Sequence, residues 1–226
     1  MENSIILKIK NLNKKFKNSI VLKDLNFNIY EGETLGIVGP SGCGKSTFGK
    51  LLLLLLSQDS GQIIYKDKNI FNFNKKEILE YRKDLQMVLQ DPYLSLNPRK
   101  TIGWHLNQPL DILNYPKDRR LNRIVSMMEL VGLSKDYLDK YPNQLSGGQK
   151  QRVLILAALL IEPKIIVLDE SVSALDISVQ AQILNLLIEL QKKLNLTYIF
   201  ISHDVNVVKY MCDRVISLKN GEISYI

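Results

Sequence analysis

One nine-residue run, Gly39-Pro40-Ser41-Gly42-Cys43-Gly44-Lys45-Ser46-Thr47, constrains this chain more than any other segment. It follows Thr34-Leu35-Gly36-Ile37-Val38, a short apolar run entered through the Glu31-Gly32-Glu33 turn, and it leads into a leucine-rich stretch. The order reads as buried strand, glycine-rich loop and helix, the building unit of an α/β sheet. A loop of this pattern in this context cradles phosphate. Its glycines let backbone N–H groups turn inward and the helix N-terminus adds positive potential, while Lys45 reaches the terminal phosphates and Ser46 offers a hydroxyl to Mg2+. Cys43 occupies a variable loop position, and no histidine partner marks it as a nucleophile.

The rest of the chain is read around that unit. Ile5–Ile9 and Val21–Ile29 read as strands, Gly61–Tyr65 and Asn69–Phe73 as a hairpin, and Leu85–Leu89 as a further strand. The helix after the loop is expected from Lys45 to about Leu56. From Thr101 to Leu160 the pattern is helical, punctuated by Pro109, Pro116 and Pro142, with Arg119–Val131 the clearest amphipathic stretch. Alternation then resumes with strand Ile165–Leu168, helix Ile177–Leu194, strand Tyr198–Ile201, helix Val205–Met211 and strand Arg214–Leu218. A single domain is expected, with a core of residues 1–90 and 151–226 and a helical subdomain at about 91–150.

Charge and cysteine usage exclude several alternatives. The 30 basic and 23 acidic residues give a net charge of +7, but the lysines are scattered, so no nucleic-acid partner is expected. Cys43 and Cys212 are the only cysteines, too few for a disulfide framework or a metal cage. The start Met1-Glu2-Asn3-Ser4 has no signal-peptide pattern, and the apolar runs Leu51–Leu56 and Val153–Ile161 fall well short of the roughly 20 residues that span a bilayer. The chain itself is expected not to cross a membrane.

Two further segments carry chemistry. Ile165-Ile166-Val167-Leu168-Asp169-Glu170 is an apolar strand ending in two carboxylates, which in P-loop proteins sets Asp169 near the metal. Glu170 then stands where a general base orients the attacking water. Taken alone, such a pair is also an ordinary solvated strand end. His203 follows the strand Tyr198–Ile201, where loops of a parallel sheet converge on one edge; a lone histidine there is otherwise structural.

Leu145-Ser146-Gly147-Gly148-Gln149 then stands between the P-loop and the Asp-Glu strand, and with it the chain resembles an ATP-binding cassette, whose signature is that pentapeptide. The likeness covers essentially the whole sequence. Phe16 resembles the aromatic that stacks on adenine, Gln90 the Q-loop glutamine, Ser173-Ala174-Leu175-Asp176 the D-loop, and His203 the switch histidine. The resemblance implies an α/β P-loop NTPase with a RecA-like parallel-sheet core, an N-terminal antiparallel β subdomain and an inserted helical subdomain.

It also implies ATP and Mg2+ as cofactors. Phe16, Gly39, Pro40, Ser41, Gly42, Cys43, Gly44, Lys45, Ser46 and Thr47 are expected on the nucleotide, with Ser146, Gly147, Gly148, Gln149 and Asp176 completing its binding. Ser46, Gln90 and Asp169 are expected on the metal, and Glu170, His203 and Gln90 in catalysis. In the family two cassettes pair head to tail, so the signature of one closes on the ATP of the other. The implied partners are two transmembrane permease subunits, a second identical or sister cassette and, indirectly, an extracytoplasmic substrate-binding protein; the implied location is the cytoplasmic face of the membrane.

Gln90-Asp91-Pro92-Tyr93-Leu94-Ser95-Leu96-Asn97-Pro98-Arg99, with the segment Ile177–Leu187, is similar to importers of oligopeptides, dipeptides and nickel or metal chelates. Asp91-Pro92 and Asn97-Pro98 also serve as plain turn chemistry. Two departures stand out: Ser171-Val172 replaces the Pro-Thr or Pro-Val common after the glutamate, and the sequence stops at Ile226, short of the extensions of subgroup members. The competing readings are a non-transport cassette acting on nucleic acid or ribosomes, and a degenerate cassette that binds ATP without turnover.

Overall fold

The computed structural model describes residues 4–17, 19–89, 95–173 and 175–226. Strands β1 (Ile5–Phe16) and β2 (Ser19–Tyr30) pair antiparallel, and β1 pairs on its other side with β4 (Ser60–Tyr65), which continues to the two-residue β5 (Lys68–Asn69). Alternation explains the sheet: Leu7, Ile9 and Leu12 of β1 and Leu25, Phe27 and Ile29 of β2 are buried, while Lys10, Asp24 and Asn26 face water.

A second sheet has the order β10-β9-β3-β8-β7-β6, where β3 is Thr34–Val38, β6 Leu85–Val88, β7 Ile165–Asp169, β8 Thr197–Ser202, β9 Arg214–Lys219 and β10 Glu222–Tyr225. Strands β9, β3, β8 and β7 run parallel, and every residue of β3, β7 and β8 is buried, which is why these segments read as unbroken apolar runs. Phe48 and Leu51 of helix α1 (Lys45–Leu52) join Ile37, Val167, Ile199 and Ile201 in the core. Each such side chain contributes about 1.5–3 kcal/mol by leaving water.

The chain forms two compact units. One holds residues 1–87, 164–170 and 190–226, and the other residues 88–163 and 171–189. Within the second lie α3 (Ile102–Ile112), α4 (Lys117–Leu130), α5 (Gly147–Leu159) and the first part of α6 (Ile177–Leu194). Ile102, Leu106 and Leu110 form one buried stripe of α3, and Ile124 and Met128 one of α4.

Local expectations differ from this fold at several points. Helix α1 stops at Leu52 because Leu54 adopts a left-handed φ of 54° and Arg82 takes the carbonyls of Leu53 and Leu54. The segment expected as strand to Phe73 is instead a single turn at Ile70–Asn72, followed by a helix not expected from the sequence, α2 (Lys75–Asp84). Asn74 and Glu77 form a capping box at its start, a signal present in the sequence. The helix buries only Tyr81, so it has no apolar stripe to reveal it. Pro109 does not interrupt α3, since only one intrahelical donor is lost there.

Tyr81 packs edge-on against Tyr65 and Phe73, and the Tyr65 hydroxyl donates to Asp84 at 2.7 Å beside Lys66 at 2.8 Å. Burial works to raise the Asp84 pKa, but Lys66 and the Tyr65 hydroxyl outweigh it and hold the carboxyl below its ordinary value. The carboxylate therefore stabilises the fold above the unfolded pKa of about 3.9, and that contribution is lost as pH falls through the lower folded value. Asp84→Asn is expected to lower stability at pH 7 by about 1–2 kcal/mol in urea titrations, with the gap to wild type closing below about pH 3.

Candidate functional site

Strands β3, β8 and β7 lie side by side with Val38 opposite Ser202 and Asp169 opposite Ile201, so their C-terminal ends share one edge. From that edge β3 enters the P-loop, β8 delivers His203, and β7 ends in Asp169 with Glu170 next in the chain. Crevices at such edges are where open α/β sheets bind ligands. All of these residues belong to the first compact unit.

Gly44 caps α1 at φ 111°, and a Cβ there would sit 2.9 Å from the Val21 carbonyl, so both conformation and space demand glycine. No side chain caps the helix and no acidic residue stands in its first turn, leaving its positive N-terminus uncompensated. Lys45 is 5% exposed, and its ammonium donates to the carbonyls of Gly39 (2.8 Å) and Pro40 (3.1 Å), which bends it back over the loop. A buried cation, a free helix N-terminus and an inward-turned loop together suit a phosphate group.

The Ser46 hydroxyl lies 3.4 Å from Asp169 Oδ1. Burial raises the Asp169 pKa and neighbouring Glu170 adds to it, against the opposing pull of the Ser46 hydroxyl and Lys45. A cation at this point relieves that cost. The two oxygen donors of Ser46 and Asp169 fit Mg2+, which takes one or two protein oxygens and completes its shell with phosphate and water.

Glu170 sits at φ 46°, a left-handed conformation costing a non-glycine residue roughly 1–2 kcal/mol. Its N–H donates to the Ile201 carbonyl at 2.9 Å, and its carboxylate, 17% exposed, lies 3.4 Å from Nδ1 of the half-exposed His203. Strain held at a carboxylate beside an imidazole is the pattern of a positioned reacting group. Phe16, at the end of β1, is 44% exposed with the Lys14 ammonium 5.3 Å from its ring centre, leaving an aromatic surface open.

In the second unit Ser146 caps α5 and forms a capping box with Gln149: the Ser146 hydroxyl accepts from Gln149 N–H, and Gln149 Oε1 accepts from Ser146 N–H. Gln149 Nε2 also donates to the Tyr137 hydroxyl at 2.9 Å. The signature is thus also the start signal of its helix, a structural role that its spacing of serine and glutamine already encodes. Asp176 accepts from Val179 N–H and Ser178 Oγ, and the Val179 bond first, then Ser178, lowers its pKa; it holds the entry to α6. Gln90, Asp91, Pro92, Tyr93, Leu94 and Ala174 lie outside the described residues.

A P-loop, a serine–aspartate oxygen pair and a glutamate–histidine pair on three adjacent strand ends define the class as a P-loop NTPase. The ABC transporter family model matches residues 22–173, and the chain belongs to that family; it is an ATP-binding cassette of the ATPase type. It is 44% identical over 217 residues to the oligopeptide transport ATP-binding protein OppF of Bacillus subtilis, covering 93% of this chain and 71% of that one. It is 46% identical over 203 residues to the dipeptide transport ATP-binding protein DppF of Haemophilus influenzae, covering 88% of this chain and 62% of the relative. The chain therefore spans between three-fifths and three-quarters of these relatives' lengths.

Among solved structures, cbiO1 of Clostridium perfringens, part of the ABC transporter complex cbiONQ, matches with a TM-score of 0.87 and 33% identity over 98% of this chain and 87% of that one. A dimeric cassette in a post-hydrolysis state with ADP and Pi matches at 0.83 and 31% identity over 97% of this chain and 98% of the other. The α/β architecture expected from the sequence, a parallel-sheet core with an antiparallel N-terminal sheet, is the one found.

Proposed function

We propose that this cassette hydrolyses ATP to drive a peptide importer, and that Glu170 is its general base. The observation that carries the reading is the convergence of Lys45, Ser46 with Asp169, and Glu170 with His203 on one sheet edge. Lys45 and the N–H groups at the start of α1 bind the β- and γ-phosphates, and Phe16 stacks on the adenine. Ser46 and Asp169 hold Mg2+, with Gln90 the third expected contact; the ion, when bound, neutralises charge on the phosphate oxygens. Glu170 accepts a proton from the water that attacks the γ-phosphorus as the bond to the bridging oxygen breaks, giving ADP and phosphate. His203, held beside Glu170, donates to the γ-phosphate.

Ser146, Gly147 and Gly148 at the start of α5 offer a second helix N-terminus, suited to the ATP of a second cassette, identical or sister to this one. ATP binding then joins two cassettes and hydrolysis releases them, a population shift that moves attached permeases. The names of the relatives favour oligopeptides or dipeptides over nickel chelates as cargo, and a transport role sets the cassette at the cytoplasmic face of the membrane, where ATP is available. Among the described residues no helix is long and apolar enough to cross a bilayer, so attachment in this reading runs through the permeases.

Affinity purification of the Glu170→Gln variant with ATP and Mg2+ from detergent-solubilised membranes tests this. Co-purifying permeases are expected. Recovery of ribosomal or nucleic-acid proteins in their place supports the non-transport alternative.

A further inference from the structure

We propose that the β9–β10 hairpin is a clamp on the P-loop, with Lys23 and Glu222 as its positioning residues. The inference rests on the reading that this loop binds ATP, and it concerns residues outside the cassette motifs. The hairpin touches the loop's surroundings at both ends. At the loop's start, a Cβ on Gly39 would lie 2.2 Å from the Leu218 carbonyl oxygen, so β9 forms a backbone wall against it. At the loop's end, Gly44 packs against Val21 and Leu22 of β2, with the Val21 carbonyl 2.9 Å from the position of its absent Cβ.

The same short piece of β2 is also held by the hairpin turn. Lys23 N–H donates to the Gly221 carbonyl at 2.7 Å, and a Cβ on Gly221 would sit 3.1 Å from the Val21 carbonyl. The Val21 carbonyl oxygen is thus approached by both Gly44 and Gly221, while Leu218, a little earlier in the hairpin, closes on Gly39. One hairpin therefore sets both ends of the phosphate-binding loop.

The turn that does this is a tight one. Asn220 and Gly221 have φ of 51° and 80°, the all-positive pair of a tight two-residue hairpin turn. What ties it to β2 beyond the backbone bond is the ion pair of Lys23 Nζ and Glu222 Oε1 at 2.6 Å. Both groups are more than half exposed, so the pair adds little to global stability. Its consequence is local: it fixes β2 against the hairpin beside the one loop whose N–H directions decide phosphate affinity. Glu170 and His203 stand at the ends of other strands, so the chemical step is outside the clamp's reach.

The test is ATP affinity and steady-state hydrolysis for wild type, Lys23→Glu, Glu222→Lys and the double reversal, with melting temperatures as the folding control. Each single reversal places like charges together and is expected to weaken ATP binding about three- to tenfold, raising KM with kcat unchanged. The double reversal is expected to return to within about twofold of wild type. Single variants that bind ATP like wild type overturn the clamp, as does a loss that the double reversal does not repair. Failure of the wild type itself to bind ATP removes the P-loop assignment, and the clamp with it.

Discussion

Glu170→Gln is expected to abolish phosphate release while leaving ATP binding intact. General-base catalysis contributes on the order of 100- to 10,000-fold, so turnover falls at least about a hundredfold. Glutamine keeps the shape of the side chain and still offers an oxygen toward His203 Nδ1, so the neighbouring geometry survives while the proton acceptor is lost. The N–H of residue 170 keeps its bond to the Ile201 carbonyl, and the left-handed backbone is as available to glutamine as to glutamate. None of the phosphate-binding groups is touched. If two cassettes pair around ATP as proposed, a variant that binds but cannot hydrolyse stays paired, so sedimentation with ATP and Mg2+ is expected to show dimer where the wild type shows monomer. Turnover at the wild-type rate removes Glu170 from the mechanism.

Lys45→Ala is expected to act at the other stage. The ammonium is buried and bonded to two carbonyls of the loop proposed to receive the terminal phosphates. A hydrogen bond to a charged group is worth about 1.5–3 kcal/mol, so losing it weakens ATP binding by about 10- to 150-fold. The Gly39 and Pro40 carbonyls lose the ammonium as a donor as well, although Pro40 still accepts from Cys43 N–H at 3.3 Å. Lys45→Arg is expected not to restore binding, since a planar fork does not replace a compact point charge in so closed a loop. Fluorescence titration with a nucleotide analogue separates this loss of binding from the loss of chemistry in Glu170→Gln.

Much of this arrangement is legible in the sequence. The buried strands β3, β7 and β8 are continuous apolar runs that end in the residues of the site, so recognising the strands locates the site as well. Features carried by backbone geometry or by sparse burial are harder to see. Helix α2 buries a single residue, so apolar periodicity passes over it, although Asn74 and Glu77 announce its start. Strand β10 has mostly exposed side chains and escapes the same reading, although Asn220-Gly221 is the strongest short signal for a hairpin. The left-handed Glu170 has no sequence signature; its N–H bonds the Ile201 carbonyl of β8, a contact no local pattern reports. Likewise, the closeness of Lys23 to Glu222 joins residues at opposite ends of the chain, which no local pattern reports.

The central claim is that this fold recognises a nucleoside triphosphate through its terminal phosphates. Titration calorimetry of the wild-type chain with ATP, and separately with AMP, in the presence of Mg2+ tests it most directly. The account predicts one ATP per chain and binding of AMP at least about 100-fold weaker, because Lys45, Ser46 and the start of α1 meet phosphates that AMP lacks. AMP binding as tightly as ATP, or no heat from either nucleotide, would contradict it.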